Sequence, residues 1–117
     1  MSSHAASPLR LPGWLTPVVT LLCVIAIYAP VRNFGFSVYD DYGWLVENDI
    51  VNAGFSWQGI VRAFSESVLG NWVPVTWLSH MLDVELFGLD AGAHHLVNVC
   101  LHLAASLVLF AALRRMT

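Results

Sequence analysis

Two uncharged stretches of the chain decide its fold: WLTPVVTLLCVIAIYAPV at residues 14–31 and LVNVCLHLAASLVLFAAL at residues 96–113. As an α-helix, each would rise about 27 Å, close to the ~30 Å hydrocarbon thickness of a bilayer. Such a helix can cross a bilayer because its backbone satisfies its own hydrogen bonds. The sequence therefore predicts an all-α membrane protein with two transmembrane helices, joined by a loop that carries short amphipathic surface helices.

The composition agrees with a bilayer environment. The chain is 57% hydrophobic and only 11% charged, whereas about a quarter of the residues in a soluble domain are charged. A net charge of −3 with no lysine predicts no nucleic-acid partner, because no basic patch is available to neutralise phosphates. A cleaved signal peptide is the alternative for the first stretch. Ile27 and Pro30 disfavour cleavage after Ala29, which would require a small residue at position 27.

The arginines predict how the helices are oriented. Arg10 precedes the first stretch and Arg114 and Arg115 follow the second, while all eight acidic residues lie between the two stretches. The positive-inside rule then places both termini in the cytoplasm, for which we expect a bacterial inner membrane. The predicted organisation is a disordered tail at 1–13, a helix at 14–31, an extracytoplasmic loop at 32–95, a helix at 96–113 and a cytoplasmic end at 114–117.

Helix signals also appear inside the loop. Ser56 is a suitable N-cap, and Pro74 and Gly88 suit the start and stop of a helix over 74–87. In that helix, Val75, Leu78, Leu82 and Leu86 form an apolar stripe. The loop also contains four of the five tryptophans, Trp44, Trp57, Trp72 and Trp77. Because indole prefers the headgroup level, we expect the loop to lie along the membrane surface.

An acidic pair, Asp40 and Asp41, follows the first stretch within VYDDY at residues 38–42. Neighbouring carboxylates point in different directions, so they do not form a facing pair by themselves. One could face a reacting hydroxyl while the other binds a metal or orients the backbone. The alternative is a solvated turn, since aspartate favours turns.

Polar residues recur along one face of the second predicted span. His94, Asn98, His102 and Ser106 are spaced by four, and His95 lies beside them. Polar groups at membrane depth usually face protein or a water-filled cavity, so we interpret Asn98, His102 and Ser106 as a helix-packing stripe. Haem or metal binding by His94, His95 and His102 is the alternative.

One turn of the predicted loop helix separates His80 from Asp83. A carboxylate at this spacing could orient the imidazole and raise its basicity, or the two could form an ordinary surface hydrogen bond.

The stretches FSVYDDYGWLVENDIV, SWQGIVRAF and NWVPVTWLSHMLDVELFGLDAGAHHLVNVCLHLAASLVLFAALRRMT resemble the N-terminal region of tetratricopeptide-repeat protein O-mannosyltransferase-like membrane proteins. The resemblance covers roughly residues 14–117, and the WLSHMLD…LFGL…HHLVN run is its most specific part. These proteins belong with the C-type integral-membrane glycosyltransferases. The resemblance implies inverting transfer of a sugar, expected to be mannose, from a polyprenyl-phosphate donor to serine or threonine hydroxyls of a protein acceptor.

The resemblance also implies roles for particular residues. Asp41 would be the catalytic base and Asp40 its supporting partner, with Asp40 also the candidate ligand of a divalent metal ion, the one cofactor implied. Candidates for substrate or phosphate contact are His80, Asp83, His94 and His95.

The family pattern continues beyond what this sequence contains. Members have further spans followed by a tetratricopeptide array, and no such repeat is present in the sequence. We therefore expect an N-terminal fragment, inactive alone, whose partners include further transmembrane helices. The competing hypothesis is a small two-span interaction or assembly protein without catalytic activity.

Overall fold

The computed structural model describes residues 12–116, and within that range the chain is mostly helical with no strand. The helices are α1 (Leu15–Tyr28), α2 (Asp49–Asn52), α3 (Trp57–Ser65), α4 (Pro74–Phe87) and α5 (Ala91–Met116), with a 3-10 helix at Ala29–Asn33 and a π-helical turn at Tyr42–Val46. The predicted tail at 1–13 lies almost wholly outside the described residues.

Two helical segments, Leu15–Asn33 and Ala91–Met116, are long and apolar enough to cross a membrane. The second begins five residues earlier than the predicted 96–113 and ends three residues later. Asp90 explains the early start, because its side chain accepts a hydrogen bond from the Ala93 amide (2.9 Å) and its carbonyl accepts one from the His94 amide (3.1 Å). His94 and His95 are therefore helical residues of α5, whereas the sequence predicts that they belong to the loop at 32–95.

The two long segments meet where α1 gives way to the 3-10 helix. The backbone of Gly92, in the first turn of α5, packs so closely against the carbonyl oxygen of Arg32 that a Cβ atom there would overlap it. This glycine therefore sets how closely α5 approaches the end of the first span. Further along, the Tyr28 ring lies 5.9 Å from the His102 ring, measured between centroids.

The segment between the spans folds around its own hydrophobic core. Its centre is the Trp77 ring of α4, which is fully buried and lies 4.9 Å from the Trp44 ring. The buried members of this core are Leu45, Ile50, Val51, Ala63, Trp77 and Met81. Because the core draws on the π-helical turn, α2, α3 and α4, it fixes these elements relative to one another.

The caps of the loop helices follow from local sequence. The Ser56 hydroxyl accepts a hydrogen bond from the Gly59 amide (3.1 Å), and Gly88 ends α4 with a φ of 63°, as the sequence predicts for both positions. Asn48 was not predicted as a cap. Its side-chain oxygen accepts hydrogen bonds from the amides of Ile50 (3.0 Å) and Val51 (3.4 Å), and the residue is only 2% exposed.

The buried face of α4 differs from the apolar stripe predicted from its sequence. Val75, Leu82 and Leu86 are exposed, whereas Trp77 and Met81 are fully buried. The side of α4 that joins the core is the side of Trp77, because an indole buries a much larger area than an aliphatic side chain. The tryptophans also divide into two sets: Trp57 and Trp72 are exposed, while Trp44 and Trp77 belong to or pack on the core.

Candidate functional site

An open cavity of about 480 Å³ lies where the loop meets the first turns of α5. Its polar lining brings together most of the site residues proposed from the sequence. The acidic pair enters from the segment after the first span, His80 enters from α4, and His95 and Asn98 enter from α5. The lining residues are Phe36, Asp40, Asp41, Trp44, Leu45, Asn71, His80, His95 and Asn98.

The two carboxylates of the acidic pair have different environments. Asp41 is half-buried, and its Oδ2 atom accepts a 2.7 Å hydrogen bond from the Ser37 amide. Asp40 is exposed, and its backbone carbonyl accepts a hydrogen bond from the Trp44 amide (3.0 Å). Asp41 is therefore the carboxylate held by a hydrogen bond, while Asp40 is an exposed residue of the cavity lining.

The wall formed by α5 carries one imidazole and one amide. The His95 Nε2 atom lies 3.3 Å from the Gly35 carbonyl oxygen, and the His95 ring packs edge-on against Phe36 at 6.4 Å. The Asn98 amide, one turn further, has no hydrogen-bond partner among residues 12–116. It also borders a second, smaller cavity together with Tyr28 and His102. Asn98 is therefore available to a ligand or to another helix.

His94 faces the interior of the loop and does not line the cavity. It is only 2% exposed, and its Nε2 atom lies 2.9 Å from the Gly88 carbonyl oxygen. A carbonyl oxygen can only accept, so Nε2 must carry the proton of the neutral ring. The Nδ1 atom of His94 then has a free lone pair, and this atom is buried without a hydrogen-bond partner.

Asp83 lies between two histidines. Its Oδ2 atom is 3.7 Å from the Nδ1 atom of His80 and 3.9 Å from the Nδ1 atom of His94, both longer than a hydrogen bond. His80 Nδ1 is buried and unpartnered as well. An unsatisfied buried polar atom costs about 1–3 kcal/mol. This cluster therefore contains two unsatisfied buried nitrogen atoms within a few ångströms of a buried carboxylate.

The surroundings of His80 favour its neutral form. Burial lowers the pKa of His80, the neighbouring His94 lowers it further, and the nearby carboxylates of Asp83 and Asp41 oppose the shift without reversing it. This direction of the pKa shift favours the neutral imidazole of His80. Its other neighbour is the cavity itself, so His80 connects the buried Asp83 cluster to the space that Asp41 lines.

Some predicted groupings are not formed. His94, His95 and His102 do not converge as a haem or metal ligand set: the first is bonded to Gly88, the second lies by Gly35, and the third packs on Tyr28. The Ser106 hydroxyl donates to the His102 carbonyl of its own helix (2.8 Å), and the helix-packing role of Asn98, His102 and Ser106 stays a prediction. Asp40, the residue suggested as a metal ligand, is not in the one potential metal-binding group found among residues 12–116.

Sequence reasoning missed three contributors to this region. Phe36 packs edge-on against both His94 and His95, with its ring 5.6 Å from that of His94. Trp44 lines the cavity while packing on Trp77, and the Gly88 carbonyl fixes the tautomer of His94. The aromatic residues are visible in the sequence, but no spacing rule links them to a site, and a backbone acceptor carries no sequence signal at all.

Comparison with protein-family models, with curated proteins and with solved structures found no match to this chain.

Proposed function

We propose that this chain forms the catalytic-base side of a membrane glycosyltransferase that moves a sugar from a polyprenyl-phosphate donor to serine or threonine hydroxyls of a protein. The observation that supports the proposal is the cavity shared by Asp41, His80, His95 and Asn98. It lies beside the ends of two helices that are apolar and long enough to cross a bilayer. A lipid-linked donor presents its sugar phosphate at that level, with its polyprenyl chain in the hydrocarbon.

The reaction assigned to the cavity is a single inverting displacement. The acceptor oxygen forms a bond to the anomeric carbon as the bond between that carbon and the phosphate oxygen breaks. Asp41 takes the hydroxyl proton, and polyprenyl phosphate leaves as a stable anion. The hydrogen bond from the Ser37 amide to Asp41 aims the carboxylate, and a general base must lie within hydrogen-bond reach of the proton it removes.

The neighbouring polar groups take supporting roles in this proposal. His80 is placed to donate a hydrogen bond to the sugar or its phosphate, the Nδ1 atom of His95 offers an acceptor because Nε2 faces the Gly35 carbonyl, and Asn98 offers both a donor and an acceptor. The exposed Asp40 carboxylate assists at the cavity mouth. Mannose is the proposed sugar, on the resemblance described above. Both termini are proposed to be cytoplasmic and the loop extracytoplasmic, in a bacterial inner membrane, on the distribution of arginines.

The cavity is open, with an incomplete wall in the part of the chain that the structure describes. A donor of this size needs further helices to enclose it, so the proposal assigns activity to an assembly that contains this chain with additional spans.

The test measures transfer of labelled mannose from polyprenyl-phosphate mannose to a serine- and threonine-containing peptide in membranes that contain the chain in its native assembly. Asp41→Asn should lower the rate at least about 100-fold, because general bases contribute ~10²–10⁴-fold. Glu47→Gln makes the same carboxyl-to-amide change at an exposed loop position outside the cavity and should transfer normally. Retained activity in Asp41→Asn would overturn the assignment of the base, and absence of transfer in unmodified membranes would overturn the proposed reaction.

A two-span assembly protein is the second candidate, and the free Asn98 amide favours it. Outward-facing residues of α5 such as Leu101, Val108 and Leu109 are exposed, which suits contact with lipid or with other helices. Under this hypothesis, Asn98→Leu would abolish a crosslinked complex that Asp41→Asn leaves intact. Under the transferase hypothesis, Asp41→Asn removes activity from a complex that still assembles.

A further inference from the structure

We propose that His80, Asp83 and His94 bind one divalent transition-metal ion of the zinc class, through the two Nδ1 atoms and one carboxylate oxygen of Asp83. The proposal goes beyond the transferase function and holds or fails independently of it. It starts from the fact that one ligand atom from each of the three residues lies within 4.8 Å of the other two.

The donor atoms have the chemistry that such an ion requires. Two imidazole nitrogens and a carboxylate oxygen are a common three-ligand set for zinc, with the fourth position left to water or substrate. In a tetrahedral site, bonds of about 2.0–2.2 Å separate neighbouring ligand atoms by roughly 3.4 Å. The two nitrogen–oxygen separations of 3.7 and 3.9 Å exceed this by a few tenths of an ångström, and the third pair of ligand atoms lies within 4.8 Å. Rotation of the side chains would have to bring the three atoms closer together to close the set.

His94 makes the hydrogen bond that is typical of a metal-binding histidine. Its Nε2–H donates to the Gly88 carbonyl (2.9 Å), which leaves the Nδ1 lone pair directed towards Asp83. Metal-binding histidines almost always donate their second nitrogen in this way, to a carbonyl or a carboxylate.

Burial distinguishes this cluster from an adventitious group of surface residues. Asp83 is 5% exposed and His94 is 2% exposed, and the Nδ1 atoms of both histidines are buried with no hydrogen-bond partner. The third buried unpartnered side-chain atom, Trp77 Nε1, can only donate and cannot be a ligand. A divalent ion would satisfy both histidines and offset the buried charge of Asp83. His80 also lines the cavity that holds Asp41, so the proposed metal site lies beside that cavity.

The binding test uses the full chain in detergent or nanodiscs, treated with a chelator and then dialysed against zinc alone. We expect one zinc per chain, and we expect Co²⁺ to give the visible absorption of a tetrahedral nitrogen and oxygen site. Asp83→Asn and His80→Gln keep the side-chain volume nearly unchanged. Each should weaken zinc binding by more than ~10–100-fold, because the loss of a hydrogen bond that only supports a ligand already has an effect of that size. His102→Gln changes a histidine of α5 outside the cluster and should bind as the unmodified chain does.

A thermal measurement complements the binding test. Zinc should raise the midpoint of unfolding of the unmodified chain and of His102→Gln, because a ligand that binds only the folded state stabilises it. The same zinc concentration should leave the midpoint of Asp83→Asn unchanged. Absence of zinc binding by the unmodified, helical chain would overturn the proposal. Zinc binding by Asp83→Asn and His80→Gln as tight as that by the unmodified chain would also overturn it. Loss of zinc binding in His102→Gln would overturn it as well.

Discussion

The loop and the two long helices of this chain bury their apolar surface in different ways. In the loop, a few large side chains are fully enclosed by the chain itself, with Trp77, Ile50 and Met81 each at most 2% exposed. In the long helices, almost nothing is enclosed: Val24 is the single buried hydrophobic residue of the two apolar segments within residues 12–116. The loop thus behaves as a small folded unit, whereas the helices leave their surface to lipid or to other helices.

This difference locates the candidate site. Polar groups are held in place by the side chains packed around them, and most of the buried side chains of residues 12–116 lie in the loop. Asp41, His80 and Asp83 all belong to the loop, and His94 and His95 belong to the one turn of α5 that packs against it. The polar residues further along α5, such as Ser106, bond within their own helix. We therefore expect chemistry at the loop end of the molecule, and we expect other helices or lipid to contact the long helices along their sides.

The largest expected effect is on the core of the loop, and it tests whether the loop is packed more tightly than the long helices. Trp77→Ala should destabilise the loop by about 3–5 kcal/mol, the usual cost of truncating a buried aromatic side chain. Trp57→Ala removes an indole that is 79% exposed and should leave stability almost unchanged. Denaturant unfolding followed by tryptophan fluorescence in detergent measures both. A loop that tolerates Trp77→Ala as well as Trp57→Ala would contradict the packed core.

The next effect concerns the junction between the two regions. Gly92→Val places a branched side chain against the Arg32 carbonyl, and overpacking of this kind costs about 1–3 kcal/mol. We expect a lower unfolding midpoint and a separation of α5 from the end of the first span. Gly35→Ala is the matched control, because a Cβ atom there would meet nothing within 4 Å. If both variants unfold alike, the close approach at Gly92 does not hold the regions together.

A smaller effect is expected at the cap of α2. Asn48→Ala removes the acceptor for two backbone amides and the side-chain donor to the Trp44 carbonyl. The expected loss is about 1–2 kcal/mol. Asn48→Asp keeps the acceptor and should retain part of the stability. Thermal unfolding distinguishes the three chains, and equal midpoints for Asn48→Ala and the unmodified chain would show that this cap is not formed.

The smallest effect is at the surface pair of Arg62 and Glu66 on and beside α3. Arg62 lowers the pKa of Glu66 through a 2.9 Å hydrogen bond. A lowered carboxyl pKa contributes stability above the ordinary glutamate range, and that stability is lost as the pH falls through the lowered value. Because the pair is solvent-exposed, Glu66→Gln should change the unfolding midpoint barely at neutral pH and not at all in acid. A large difference at neutral pH would contradict a screened surface pair.

The sequence predicts the helical parts of this fold well, because they depend on local signals. Hydrophobic length gives both long helices, and Pro74 and Gly88 mark the ends of α4. The start of α5 was placed too late because hydropathy begins at Leu96, whereas the helix begins at the cap provided by Asp90. The face of α4 that joins the core does not follow from local spacing, because it depends on Trp44 and other residues distant in sequence.

The candidate site, too, can be predicted where it depends on local sequence and not where it depends on residues distant in sequence. The sequence identifies Asp41, His80 and Asp83 as residues capable of chemistry, and spacing along α4 accounts for the proximity of the last two. It could not reveal that His94 joins them, because the loop between α4 and α5 reverses the chain direction at Gly88. Nor could it show that Asp41 and Asn98, distant in sequence, share one cavity.

Amide hydrogen exchange of the full chain in lipid nanodiscs tests the central claim most directly, namely that the loop is a folded unit that includes the first turns of α5. The account predicts slow exchange for the amides of α4 and for His94, lost together in Trp77→Ala, while the amides of α5 beyond His102 stay protected in both chains. Exchange of the α4 amides at unfolded rates in the unmodified chain, with both long helices still protected, would contradict it.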